Sequence, residues 1–484
     1  MTSPALAPGS SPVLSSHQDA HAFLAAYHDA HPEDVLDITA EVPADEGVTG
    51  LIYELAADRR AEMLWCHDVA GVDVPVIGNV FASRTRIARM LGVEPTALHE
   101  EYHRRASNPL PMQLLDDGPI FDVIVSGNDV DLAAVPALTH FASDRAPYIT
   151  SGIIIGEDPD SGVGNMSYHR SMVHSRNELA TSLHSRGDLW RMLRRYSDRG
   201  QAMPVAMVIG GHPLFMLAAS SRIGYNEDER EVAGGLLGEP LQVVRTPKHG
   251  IKVPAWAEFV LEGTISADAY AEEGPFGEFS GYSSNRSTNN VLRVDTVLRR
   301  RDAILVDVEG GNTAEHLNLA RIPREAEMAQ KVKERFPDVV ALQYPTSGTH
   351  FHCYVSLRQQ RPGAARQVML GLLGWDPYVK TVIAVDEDID ITDDSEVLWA
   401  LATHFQPHRD MFTVGGLPGS PLDPSSGSDG TTSRLALDAT RGADFHGERI
   451  VISDEARSRA RILLDSLTDS TTSHHDSTST EGSR

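Results

Sequence analysis

Apolar and polar positions recur at two different periods along this chain, and the changes of period divide it. Residues 18–29 place Leu24 and Tyr27 on one side at helical spacing. Residues 63–67 and 74–80 are short apolar runs of strand type, and 84–91 reads as a helix capped by Ser83. This predicts an N-terminal α/β domain over 17–119. From about residue 120 the pattern turns to strands, at 120–125, 149–155, 164–169, 205–209, 257–265, 291–297 and 303–308. Helices near 187–196 and 227–237 interrupt them. Many strands with few crossover helices predict a barrel or sandwich over 120–310.

Gly310, Gly311 and Asn312 punctuate the next boundary. Beyond it, helices at 323–335, 364–373 and 394–402 alternate with strands at 339–342, 351–357 and 381–385. That predicts a C-terminal α/β domain with a terminal helix at 454–467, together spanning 311–468. Residues 417–433 are rich in Gly, Pro and Ser and read as a mobile connection. Residues 1–16 read as a loose arm. Residues 469–484 are Ser/Thr/His-rich and almost free of apolar side chains, which predicts a disordered tail; His474 and His475 there read as solvated. The class is α+β.

Composition narrows the function. The net charge of −26 argues against a nucleic-acid or anionic-membrane partner, since either needs a basic footprint. Cys66 and Cys353 sit in separate strand-like runs and read as reduced core residues of a cytoplasmic protein. No apolar run approaches the roughly 18 residues a membrane span requires, and residues 1–16 lack the basic start and apolar core of a secretory signal.

The chemistry gathers between Gly164 and Tyr282. The strand bearing Asn165, Met166, Ser167, Tyr168, His169 and Arg170 directs Asn165, Ser167 and His169 to one face. An amide oxygen, an imidazole and a carboxylate, from Asn165, His184 and Glu229, can hold a divalent ion. Arg170 with Glu273 and Glu278 can grip a substrate carboxylate and move a proton. The competing reading is ordinary surface: two glutamates around a turn, an arginine paired to a nearby acid, a capping histidine. His99, Glu100 and His103 match the His-Glu-x-x-His metalloprotease pattern. That helix is short, bounded by Pro95 and Pro109, and offers little apolar surface behind a metal, so zinc metalloprotease activity is a remote alternative. Neither a dinucleotide-binding Gly-x-Gly-x-x-Gly nor a Walker loop is present.

These segments, in this order, resemble the UbiD family of reversible decarboxylases, which use prenylated FMN. Residues 75–92, 380–390, 398–403 and 406–410 resemble the family's N- and C-terminal domains, so the likeness spans about 20–465. The resemblance implies that the central domain is a split β-barrel holding the flavin. It implies that Asn165, His184 and Glu229 hold a divalent ion, commonly Mn2+, against the flavin phosphate. His174 is the fallback for His184, whose motif needs a one-residue shift. It also implies a K+ ion near Ala218 to Ser221, and cofactor contacts from Ser167, Arg170, Ser221 and Lys380.

By the same resemblance Arg170, Glu273 and Glu278 are the catalytic trio, with Glu278 the proton donor to the carbon that loses CO2. A covalent substrate–flavin adduct is the implied electron sink, and a separate flavin prenyltransferase is the implied source of the cofactor. The implied activity is non-oxidative decarboxylation of a small aromatic acid. The motif form favours indole- or pyrrole-carboxylates over phenolic or acrylic acids such as vanillate and cinnamate. Asn312 and His316 are substrate-contact candidates. A homodimer or homohexamer is expected. A hydratase or isomerase on this scaffold and a non-catalytic flavin-binding protein are the alternatives.

Overall fold

The computed structural model describes residues 18–183, 187–284, 287–358 and 361–475. They form an α+β assembly of separate sheets, in two compact units, Met1–Thr440 and Arg441–Arg484.

In the first unit an N-terminal sheet runs in the order Val35–Ile38, Met63–Cys66, Val76–Gly78, Leu305–Val306. Helices Ala20–Ala30, Gly47–Ala57, Arg84–Met90 and Leu98–Ala106 accompany it. The Ser83 hydroxyl accepts from the Arg86 amide at 3.2 Å, the expected N-cap. Leu305–Val306 was expected among the central strands. It instead pairs parallel with Val76–Gly78, so the chain returns to the first sheet before leaving the central region.

The central sheet has nine strands. Its main path is Tyr148–Ile149, Ser171–Ser175, Glu178–Thr181, Ser287–Arg299, Phe259–Glu273, Met203–Ile209, Gly152–Glu157, Gly164–Tyr168, with Val123–Ser126 paired to Ser287–Arg299. All pairings on the path are antiparallel, and it is open rather than closed into a barrel. Apolar side chains leave both faces. Ile153, Ile155, Ala206 and Val208 enter one core with the N-terminal helices, while Ile154, Val205, Met207 and Ile209 enter another with helix Asp188–Asp198. A strand covered on both faces reads as one unbroken apolar run, which is why this region was legible.

The C-terminal sheet has the order Val339–Gln343, His352–Leu357, Thr381–Asp386, Thr431–Asp438, Met411–Pro418. The last two strands pair across the stretch expected to be a mobile connection, leaving only the turn between them irregular. Helix Ala314–Arg335 begins well before Pro323, where the sequence suggested a start. Proline in a helix interior removes one backbone bond; here it lies buried in a helix whose Glu315, Asn318, Arg321, Arg324 and Glu325 are also buried. Those polar side chains hide the apolar periodicity.

The second unit contains helix Asp454–His475, which continues past the expected end at 467. The expected arm at 1–16 and residues 476–484 of the expected tail lie outside the described residues.

Candidate active site

Strand Gly164–Tyr168 lies against the first turn of helix Glu229–Leu237. The helix starts there because the Asp228 carboxylate accepts from the Arg230 amide at 3.0 Å. Glu229, the first helical residue, then points at the strand. Its Oε1 accepts from Asn165 Nδ2 at 2.8 Å and its Oε2 from the Met166 amide at 2.9 Å. Burial pushes the Glu229 carboxyl up to about 8, with Asp228 and Asp188 adding to the rise and the Met166 amide opposing it. Among the described residues no cationic side chain pairs with Glu229. A buried carboxylate without a counter-charge, beside a side-chain amide, fits a cation.

Asn165, Ser167 and Glu229 line one cavity of about 650 Å³, together with Tyr168, His169, Ser221, Arg222, Arg324 and Tyr378. His184 lies outside the described residues. His174 is exposed on strand Ser171–Ser175 and does not line this cavity, whereas His169 does. His169 Nδ1 faces the Ser182 carbonyl at 2.8 Å and Nε2 faces the Ser167 hydroxyl at 3.0 Å. Ser221 is tied to the Tyr102 hydroxyl at 2.6 Å. Lys380 is not brought to the cavity: its Nζ binds Asp423 at 2.6 Å and Ser425 at 2.7 Å.

Arg170 follows the strand and reaches the second cluster. Its Nε and Nη2 each donate to Glu273 at 3.0 Å, and Nη1 meets Glu278. The guanidinium lies 5.0 Å from the centre of the Phe276 ring. Glu273 is fully buried at the end of strand Phe259–Glu273, and Glu278 is 8% exposed in the following turn. Sequence reading missed two more partners of Glu273: Tyr148 OH donates at 2.9 Å and Asn289 Nδ2 at 2.7 Å. Tyr148 OH also accepts from the Gly274 amide at 3.0 Å. All four lone-pair positions of the Glu273 carboxylate are thus met by donors. Glu273 anchors Arg170 through two donors, and Glu278 meets the third.

Asn312 and His316 belong beside this turn. Tyr53 OH donates to Asn312 Oδ1 at 3.0 Å, and Gly281, at φ +79°, leaves room for the Asn312 amide, which a Cβ would meet at 2.9 Å. His316 Nδ1 faces the Gly311 carbonyl at 2.9 Å. Phe279, next to Glu278, packs on His350 with ring centres 4.5 Å apart.

The metalloprotease pattern does not assemble. His99 Nε2 is 2.7 Å from Glu325, which Arg84 also holds in a two-pronged pair at 2.7 Å, while His103 contacts Ser107. Among the described residues no three His, Cys, Asp or Glu side chains converge as a metal cluster.

Three family models match in succession, all of 3-octaprenyl-4-hydroxybenzoate carboxy-lyase: its N-terminal domain at residues 29–106, its Rift-related domain at 113–313 and its C-terminal domain at 317–439. An anhydromevalonate phosphate decarboxylase of Methanosarcina mazei is 33% identical over 378 residues, covering 78% of this chain and 86% of the relative. The UbiD-class enzyme HmfF of Pelotomaculum thermopropionicum, solved with FMN, superposes with a TM-score of 0.83 at 32% identity, over 88% of this chain and 96% of that one. An evolved dimeric form of HmfF with prFMN gives 0.82 at 29% identity, over 90% and 97%. The chain belongs to the UbiD family and is a carboxy-lyase of that family.

Proposed function

We propose that this protein carries out a reversible, non-oxidative decarboxylation of a small unsaturated or aromatic acid with prenylated FMN bound in the Asn165–Glu229 cavity. The carrying observation is the Arg170 guanidinium, anchored through two donors on Glu273 and presenting the third to Glu278. Arg170 pairs with the substrate carboxylate and orients it. The C–COO⁻ bond breaks, CO2 leaves, and Glu278 delivers the proton that replaces it on the same carbon. The flavin supplies an electron sink for the pair released from that bond, which no side chain provides. Asn165 and Glu229 would hold a divalent ion, Mn2+ by family likeness, which would neutralise charge at the flavin phosphate, and Ser221 would contribute to a K+ site. His174 does not line the cavity, so His184 is the imidazole proposed to complete the metal site, and the metal content of His184→Ala tests it.

The motif likeness favours an indole- or pyrrole-carboxylate. A second reading, favoured by the 33% identity to the M. mazei enzyme, is a phosphorylated unsaturated acid such as anhydromevalonate phosphate. We assign the protein to the cytoplasm, as a homodimer or homohexamer served by a flavin prenyltransferase; the two cysteines are free and buried, as a reducing compartment allows. The test is co-expression with a flavin prenyltransferase, then flavin absorbance and CO2 release from pyrrole-2-carboxylate, indole-3-carboxylate, vanillate and cinnamate. Turnover of one acid supports the reading. A flavin-loaded protein that hydrates or isomerises acids without releasing CO2 overturns it.

A further inference from the structure

Behind the Asn165–Glu229 cavity, one carboxylate ties together three segments that are separate in sequence. Asp158 is 2% exposed and shapes the turn that precedes strand Gly164–Tyr168. Its Oδ1 accepts from the Asp160 and Ser161 amides at 3.0 and 2.9 Å. Its Oδ2 meets Arg195, on helix Asp188–Asp198, at 2.6 Å. The same oxygen accepts from the Tyr225 hydroxyl, on the loop that follows Ser221, at 2.6 Å. The Tyr225 ring in turn takes the Arg191 and Arg195 guanidiniums at 3.9 and 5.2 Å from its centre. Burial and the Asp158 carboxylate push the Tyr225 hydroxyl up to about 12, so it donates at neutral pH.

Each of the three segments leads into the cavity wall. The turn runs directly into Asn165. The helix opens with Gly187 and Asp188, which line the cavity. The loop opens with Ala219 to Ile223, which line it as well, and ends at Glu229. The Glu229 end of the loop has its own clamp. Fully buried Arg230 pairs with Asp228 at 2.6 Å and Glu157 at 3.1 Å, and Asp228 accepts from the Gly164 amide at 3.2 Å. Tyr225 ties the middle of the loop to the other two segments. It does not itself line the cavity. Ordering a loop costs backbone entropy, and a hydroxyl on a buried carboxylate with two cations on the ring offsets that cost.

We propose that Tyr225 is a positioning residue for the cofactor site: by fastening loop 219–228 to Asp158 and to helix Asp188–Asp198, it keeps Ser221 and Glu229 in register with Asn165. The inference rests on the flavin reading of this cavity. It adds a side chain that touches neither flavin nor metal yet sets the affinity for both.

The test uses the full-length chain, made without a prenyltransferase. FMN, the flavin held by the similar HmfF structure, is titrated in the presence of Mn2+ and followed by fluorescence quenching. Release of Mn2+ into excess EDTA and the melting temperature are measured alongside. The variants are Tyr225→Ala, Tyr225→Phe and Arg199→Ala. Arg199 donates to the Pro159 carbonyl at 3.2 Å and pairs with Asp160, so its loss loosens the same turn without touching the loop. Tyr225→Ala should weaken FMN binding by about 10–100-fold, the worth of one charged hydrogen bond, and should speed Mn2+ release. Tyr225→Phe keeps the ring on both guanidiniums and should fall between alanine and native. Arg199→Ala should bind FMN as the native chain does, even where its melting temperature falls as far as that of Tyr225→Ala. Native FMN affinity and Mn2+ release in Tyr225→Ala overturn the proposal. So does an Arg199→Ala chain that loses as much FMN affinity as Tyr225→Ala, since the effect would then be general destabilisation. A native chain that binds no FMN overturns the flavin reading and this inference with it, whereas native binding with an unaltered Tyr225→Ala overturns this inference alone.

Discussion

Replacing Arg170 by lysine keeps the charge and removes the fork. Three donors now face two carboxylates: Nε and Nη2 on Glu273 at 3.0 Å each, and Nη1 on Glu278. An ammonium is a point charge on a longer stem and cannot span both acids, so at least two of the three bonds are lost. Each hydrogen bond to a charged group is worth about 1.5–3 kcal/mol, and two of them give about 3–6 kcal/mol. At about 1.4 kcal/mol per decade this is a loss of about 10²–10⁴ in kcat/KM. The assay is CO2 release at several substrate concentrations, with flavin absorbance confirming equal cofactor content. If the lysine variant keeps kcat/KM within about tenfold of native, Arg170 acts only as a diffuse charge and the fork argument is refuted.

Four further outcomes are expected. Glu278→Gln should lose turnover while keeping flavin, and normal CO2 release from it would remove Glu278 as proton donor. Glu229→Ala should lose metal and flavin together, read by elemental analysis and absorbance; full occupancy would take Glu229 out of the metal site. Gly277→Ala should depress activity and stability, because its new Cβ would strike the Phe141 ring just ahead of Glu278; unchanged melting and turnover would show that Phe141 moves freely. Glu315 is fully buried, and burial pushes its carboxyl up to about 8. A raised folded-state value means that its contribution is present below the usual carboxylate value and lost as pH rises toward 8. Glu315→Gln should therefore flatten the fall in stability between about pH 4.5 and 8, measured by urea unfolding, and an unaltered pH profile would refute it.

Apolar runs made the central strands legible, and the resemblance singled out Arg170, Glu273 and Glu278, which the fold brings together. Long-range partners were not legible. Tyr148 and Asn289 reach Glu273 from separate strands, and nothing in their neighbourhoods marks them as its donors. His350 and Arg324 carried no signal in the sequence, and the fold sets them beside Phe279 and Tyr378. Helix Ala314–Arg335 was half hidden, since its buried polar residues break the apolar period and Pro323 imitates a start. The strand pair Met411–Pro418 and Thr431–Asp438 was masked by its turn-forming composition.

The most direct test of the central claim is CO2 release from the acid panel by flavin-loaded protein, native and Glu278→Gln side by side. The account predicts CO2 from the native enzyme and none from the variant at equal flavin content. A loaded native protein that releases no CO2 from any acid, or a variant that matches it, would contradict the account.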